Sequence, residues 1–460
     1  MSNTLKCISP IDGSVFAERP TLSLDEAKTA AARGRAAQAA WAARPLQERV
    51  DLVMAGVAAV GAMNDEIVPE LAHMMGRPVR FGGEFGGFNE RASYMAGIAE
   101  TALAPIQVGE DATFKRYIKR VPLGLVLVVA PWNYPYMTAI NTVAPALIAG
   151  NTVMLKHATQ TLLVGERMAR AFHEAGVPED VFQNVFLSHD TTSDLIAAKA
   201  FDFVNFTGSV GGGKAMERAA AGTFTGIGLE LGGKDPGYVM EDADVDAAVD
   251  TLIDGAMFNS GQCCCGIERI YVHESLYDSF LEKALTVVRG YKLGNPLEAE
   301  TTIGPMANAR FAAEVRAQIS EAVEAGATAH IDTFPEDDGG TYLTPQILTD
   351  VTHDMRVMRD ESFGPVVGIM KVKDDEEAIA LMNDSDFGLT ASLWTNDLAR
   401  AERVGDRIET GTVFMNRADY LDPGLCWTGC KQTGRGGGLS IIGYHNLTRP
   451  KSYHLKKVTK

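Results

Sequence analysis

Residues 125–135 read LVLVVAPWNYP: six consecutive apolar positions, then a turn with proline at either end. A short apolar run closed by a turn suits a strand buried on both faces of a parallel sheet. The rhythm recurs. NTVMLK (151–156) precedes an alanine-rich helical stretch, DFVNF (202–206) runs into GSVGGGK (208–214), and GIGLELGG (226–233) follows. Strands alternating with helices predict a doubly wound α/β sheet. A second series begins after Glu241, with helices expected at 245–259, 275–290 and 374–382 and strands near 268–272 and 364–371. Two α/β lobes result. Upstream, 24–61 and 65–103 carry apolar residues at helical spacing. FKRYIKRVPLGLV (114–126) alternates as a strand or hairpin would, 424–443 reads as glycine-rich and irregular, and the tail from 444 can return as a strand.

With 460 residues, 46% of them hydrophobic, the chain can build two or three domains. Its net charge of -17 argues against a nucleic-acid or anionic-membrane partner, which most of the surface would repel. The first twenty residues lack a basic start followed by an apolar stretch, and no apolar run reaches membrane length. A cytoplasmic location is expected. Six cysteines do not form a disulfide framework, and Cys426 and Cys430 read as structural.

Three of those cysteines are adjacent, in FNSGQCCCGIER (258–269). Successive side chains are expected to diverge, so Cys263, Cys264 and Cys265 are not expected to close a metal shell, and no metal site is assigned. Three small buried hydrophobes would be the bland reading; a nucleophile at Cys264 is the sharper one. Glu230, at the end of an apolar strand and before two glycines, is a candidate base, or else a solvated strand-end acid. Asn133 follows the strand LVLVVA and can donate to an oxyanion, or form an ordinary Asx turn. GSVGGGK nearly spells a Walker loop, a nucleotide-triphosphate alternative, but Ala215 stands where a magnesium-binding Ser or Thr belongs.

As a set, SPIDGSVFAERP, PWNYP, LKHATQT, FTGSVGGG, LELGGKDP, FNSGQCCCGIER, ESFGPV and GTVFMN resemble the aldehyde dehydrogenase superfamily over nearly the whole chain. The resemblance implies an NAD- or NADP-dependent enzyme in which Cys264 attacks the aldehyde carbon. The Asn133 amide and the Cys264 backbone N–H would hold the oxyanion, and Glu230 would activate the water that hydrolyses the thioester. It further implies that Lys156 and Glu361 bind the cofactor riboses, and that Phe363 and Trp132 lie near the nicotinamide. Gly208, Ser209 and Gly213 would line the pyrophosphate turn. The implied division is a Rossmann-like cofactor domain at 1–106 and 126–235 and a catalytic domain at 236–440. Segments 107–125 and 441–460 would form a small β extension joining a homodimer or homotetramer.

The chain departs from the pattern twice. Thr159 stands where many NAD-preferring relatives carry a ribose-binding glutamate, so a 2′-phosphate is no longer repelled and either cofactor is expected to bind. The segment 416–438 is also unusual, leaving Tyr136, Trp427, Met137 and Arg417 as candidates to shape the pocket. An arginine there would suit a small semialdehyde. A coenzyme A-acylating enzyme would share Cys264, but Glu230 as a base for water favours hydrolysis.

Overall fold

The computed structural model describes residues 4–458. Leu125–Ala130, wholly buried, lies inside a six-stranded sheet. The order across it is Gly434–Arg435, Gly226–Glu230, Phe203–Thr207, Leu125–Ala130, Thr152–His157, Phe182–Asn184. All are parallel except the first, which pairs antiparallel with Gly226–Glu230. From Leu125–Ala130 the chain winds outward to Phe182–Asn184, then returns to add Phe203–Thr207 on the other side. The carboxyl ends of these two neighbouring strands form the switch point where such sheets bind ligands. PWNYP follows one and GSVGGG the other.

The helix Pro135–Ile148 begins with proline at its first turn, where no donor is lost, and nearly every residue in it is buried. An all-round apolar helix belongs in the core. Phe85–Leu103 packs against it through a face containing Phe88, Ala92, Met95 and Ala99.

The second lobe holds a seven-stranded sheet, in the order Thr328–Ala329, Gln346–Thr349, Val366–Val372, Ile267–His273, Asp235–Val239, Thr390–Trp394, Thr412–Met415. Only the edge strand Thr328–Ala329 is antiparallel. The α/β class read from the sequence is the one observed. A third, three-stranded antiparallel sheet joins Ile106–Glu110, Phe114–Pro122 and Thr448–Lys456, with Tyr117 stacked on Tyr453 at 4.7 Å. Ile106, Val108 and Leu455 on it are exposed. Among the described residues no single helix is long and apolar enough to cross a membrane.

Two stretches differ from expectation. The helix expected over 65–103 is broken into Asn64–Met75 and Phe85–Leu103, because Gly76 takes a φ of +81° and Pro78 follows. The segment 424–443 is less irregular than its glycines suggest. It contains Cys430–Lys431 and Gly434–Arg435 as short strands and the start of the helix Ser440–Asn446. Trp427, Leu439 and Tyr444 join the core of the first lobe, and the Tyr444 hydroxyl donates to Met95 O at 2.8 Å. The end of the segment assigned to the second lobe therefore packs on the first.

Candidate active site

The helix Val245–Met257 stops short of the cysteines, at a turn in which Asn259, Ser260 and Gly261 have φ of +55°, +56° and +69°. Two non-glycine residues in the left-handed region are strained and persist only when neighbours hold them. Asn259 Nδ2 donates to the carbonyls of Asn133 and Gln262, each at 3.3 Å. Ser260 Oγ donates to Gly304 O at 2.8 Å, and Gln262 Oε1 accepts from Ala307 N at 2.8 Å. The turn leaves Cys263 and Cys265 buried and Cys264 partly exposed on a cavity. All three are free thiols.

The expectation that the three side chains diverge is wrong. Their Sγ atoms lie within 4.8 Å of one another. The tight left-handed turn preceding them folds the backbone so that the thiols converge. Cys263 and Cys265 both donate to Asp419 Oδ1, at 3.1 and 3.0 Å. The flanking thiols of Cys263 and Cys265 draw the Cys264 thiol below its ordinary value, whereas Cys265 is driven up by its two neighbours and by burial. Of the three, Cys264 is the one that favours the thiolate and also faces open space.

The cavity, about 340 Å³, is lined by Cys264 and Glu230 together. That volume sits at the small end for ligand pockets. Glu230 ends the strand Gly226–Glu230, and Thr207 Oγ1 donates to its Oε2 at 3.3 Å. Burial pushes its carboxyl up to about 7, with Thr207 and Arg91 opposing. A group titrating there is matched to general-base work near neutrality. Asn133 is buried, and its Nδ2 donates to Gln262 O at 3.2 Å, across to the cysteine loop rather than into its own turn. Its carbonyl accepts from Arg77 Nη2 at 2.6 Å, and Arg77 forms a buried pair with Glu84 at 2.6 Å.

Lys156 is the penultimate residue of the strand Thr152–His157, buried and without an ion pair among the described residues; burial lowers it to about 8. Thr159 opens the short turn that follows. Ser209 caps the helix Val210–Ala220, its Oγ accepting from Gly212 N at 3.2 Å, with Gly208 just before it. An uncovered helix N-terminus at a switch point suits a phosphate. Gly213 is instead buried against Leu231, where an added Cβ would lie 2.7 Å from the leucine side chain, so it permits close packing of helix on strand. Lys214 reaches Gln432 Oε1 at 3.3 Å, away from the turn a Walker lysine would enter.

Glu361 and Phe363 are brought to the same region by Gly233. Its N–H donates to Glu361 Oε1 at 3.0 Å, and a Cβ on it would lie 2.5 Å from Cys264 O. Burial pushes the Glu361 carboxyl up to about 8. Phe363 lies edge-on to Trp132 at 5.5 Å, and Trp132 stacks on Phe311. Sequence reasoning missed what holds this loop. Glu268 accepts from Ser362 N at 2.8 Å and Phe363 N at 2.9 Å, and pairs with the fully buried Lys234 at 2.5 Å. The signal was available: GGKDP and GIERI each place a charge in an apolar strand context, where it must be paired.

The pocket candidates divide. Met137 and Trp427 line the cavity. Tyr136 does not: it is buried in the core, edge-on to Phe88 at 6.2 Å. Arg417 does not either, because its guanidinium lies outside, over the Tyr420 ring at 3.6 Å. The arginine on the cavity wall is Arg91, which sequence reasoning passed over although it lies one turn from Phe88 and Met95 on the same side of its helix.

The chain is similar to known proteins over nearly its whole length. A model of the aldehyde dehydrogenase family matches residues 1–453. The succinate-semialdehyde dehydrogenase [NADP(+)] of Deinococcus radiodurans is 32% identical over 449 residues, covering 96% of this chain and 93% of the relative. The betaine aldehyde dehydrogenase of Bacillus subtilis is 35% identical over 372 residues, 80% of this chain and 76% of the relative. The crystal structure of NADP-dependent glyceraldehyde-3-phosphate dehydrogenase from Bacillus halodurans complexed with NADP superposes with a TM-score of 0.93 at 33% identity, covering 99% of this chain and 96% of that one. From the match over nearly its full length, the chain belongs to the aldehyde dehydrogenase family and is an oxidoreductase acting on aldehydes.

Proposed function

We propose that the chain oxidises a small aldehyde to the carboxylic acid by a hydrolytic route, using NAD or NADP. The observation that carries this reading is the shared cavity of Cys264 and Glu230, with the Asn133 amide donating into the cysteine loop. The Cys264 thiolate attacks the aldehyde carbon. The oxygen that becomes negative is held by Asn133 Nδ2 and the Cys264 backbone N–H, donors already fixed in place. The bound nicotinamide supplies the hydride acceptor. After that transfer the acyl group is a thioester on Cys264. Glu230 takes a proton from water as the water oxygen bonds to the acyl carbon, the carbon–sulfur bond breaks, and Cys264 leaves as thiolate.

The residues present fit a dinucleotide. Lys156, buried and without an ion pair among the described residues, and Glu361 would hold the riboses. The Ser209 end of its helix, with Gly208, would hold the pyrophosphate, and Trp132 and Phe363 would flank the nicotinamide. Thr159 carries no charge to repel a 2′-phosphate, and the Deinococcus and Bacillus halodurans relatives are named for NADP. Either cofactor is therefore expected to be used. Glu230 inside the cavity favours water over coenzyme A as acyl acceptor.

On this reading the six-stranded lobe is the cofactor domain and the seven-stranded lobe the catalytic one. The three-stranded sheet, with Ile106, Val108 and Leu455 exposed, is the surface for a homodimer or homotetramer. The location is cytoplasmic. A panel of aldehydes with NAD or NADP, followed at the nicotinamide absorbance with acid and acyl-coenzyme A quantified, tests the assignment. Undiminished turnover by Cys264→Ser, or product formed only with coenzyme A, would overturn it.

A further inference from the structure

Three converging thiols make a donor set that three diverging ones would not. The Sγ atoms of Cys263, Cys264 and Cys265 lie within 4.8 Å of one another, and those of Cys263 and Cys265 are 3.5 Å apart. A fourth donor faces them, with Asp419 Oδ1 at 3.1 Å from the Cys263 sulfur and 3.0 Å from that of Cys265. All four residues line the same cavity, which gives a small ion a way in. A tetrahedral zinc-type ion, about 2.3 Å from sulfur and about 2.1 Å from a carboxylate oxygen, holds two sulfurs roughly 3.8 Å apart and a sulfur and an oxygen roughly 3.6 Å apart. The side chains would have to part by only about half an ångström to receive it.

Asp419 carries the second observation. A sheltered carboxylate ordinarily draws a guanidinium or ammonium group, yet Asp419 forms no ion pair among the described residues, and the donors it meets there are two thiols, which donate weakly. Asp254, on the same cavity wall, forms no ion pair among them either. The arginine of that wall does not fill the gap: Arg91 Nη1 donates to Met137 O and Asn141 Oδ1 instead. A carboxylate set against three sulfurs therefore lacks a cation.

The donors select which one. Three sulfurs and an oxygen suit a borderline-soft ion, whereas Mg²⁺ and Ca²⁺ require six or more oxygen ligands. We propose that Cys263, Cys264, Cys265 and Asp419 form a binding site for a thiophilic divalent cation of the zinc type, and that its occupation silences the enzyme. Each sulfur that binds exchanges its S–H bond for a sulfur–metal bond and releases the proton to water. Nothing is oxidised or reduced, so a chelator restores the free thiols. The metal then holds the electron pair with which Cys264 attacks an aldehyde. That consequence rests on Cys264 being the nucleophile; the binding itself does not.

The first test needs no variant. Zn²⁺ is titrated into the parent protein without substrate or cofactor, and X-ray absorption at the zinc edge reads its neighbours. One ion per chain, with three sulfurs at about 2.3 Å and one lighter atom, is expected. Fewer than three sulfurs would overturn the site. Cd²⁺ should give the ultraviolet thiolate-to-cadmium absorption, saturating at one equivalent; Mg²⁺ should neither bind nor displace it, and displacement by Mg²⁺ would count against the site. In competition with a chelator, Cys263→Ser, Cys265→Ser and Asp419→Asn should each bind Zn²⁺ more weakly by at least the roughly 10–100-fold that loss of an outer-shell partner costs. Unchanged affinity in all three would overturn the proposal. Inhibition of aldehyde oxidation by Zn²⁺, taken relative to each variant's own metal-free rate, should weaken in parallel and be relieved by chelator. Inhibition equally potent in every variant would mean that Cys264 takes the ion alone, and would also overturn it. Three-sulfur binding in a protein that oxidises no aldehyde, with or without chelator, would uphold the site and refute the assigned activity.

Discussion

Replacing Glu230 with Gln keeps the shape of the side chain and removes the base. Its carboxyl, held at about 7 by burial, is roughly one-tenth ionised at pH 6 and nine-tenths at pH 8. If hydrolysis limits turnover, kcat of the parent should rise about tenfold over that interval and then level. A positioned general base contributes on the order of 10²–10⁴-fold, so Glu230→Gln should lose that much in steady-state rate. The loss falls on the second half-reaction only. Rapid mixing should therefore still give a burst of reduced cofactor of about one per chain, followed by slow turnover, and the rise between pH 6 and pH 8 should vanish. The same group makes a stability prediction of defined sign. Its folded value is raised above its ordinary one, so the stability it contributes is present at low pH and is lost as pH climbs through the interval from about 4.5 to about 7. The Gln variant should match the parent in melting temperature near pH 4 and exceed it at pH 8. Steady-state turnover within a few-fold of the parent, with no burst and an unchanged pH profile, would refute the reasoning.

Asn133→Ala removes one oxyanion donor and should lower kcat on the order of 10²–10³-fold with little change in KM, read from initial rates. Glu268→Gln leaves Lys234 charged, buried and unpaired, a loss of about 3–5 kcal/mol. Denaturant titration should show it, and KM for the cofactor should rise as the Glu361–Phe363 loop loosens. Thr159→Glu places a carboxylate against the adenosine ribose and should shift the NADP-to-NAD ratio of kcat/KM toward NAD by tenfold or more, mostly by weakening NADP. Retained NADP use in that variant would show that Thr159 does not face the ribose.

The parallel α/β class was legible because LVLVVA, NTVMLK, DFVNF and GIGLE are short apolar runs that suit a buried parallel sheet, whereas the order of the strands across it was not. Asn133, Glu230 and Cys264 could be singled out as candidates because each sits in a turn or at a strand end beside residues that suit a ligand's approach. Long-range packing was not legible. The convergence of three adjacent thiols accompanies left-handed φ at Asn259, where an asparagine tolerates it, and at Ser260, where local propensity does not favour it, and the turn is held by contacts to Gly304 and Ala307. The segment near Gly434 crosses back to the first lobe because a glycine backbone can lie against Leu229, a contact invisible in composition. Arg91 was overlooked for the opposite reason. A lone arginine beside an apolar stripe usually snorkels to water, and only the facing Met137 and Asn141 turn it inward.

The central claim is that one sulfur carries the substrate. Acid-quenching Glu230→Gln during its burst, followed by digestion and mass mapping, tests it most directly. The account predicts one acyl group per chain, on Cys264 and without coenzyme A. Acyl groups on Cys263 or Cys265, or a full burst of reduced cofactor with no acylated cysteine, would contradict it.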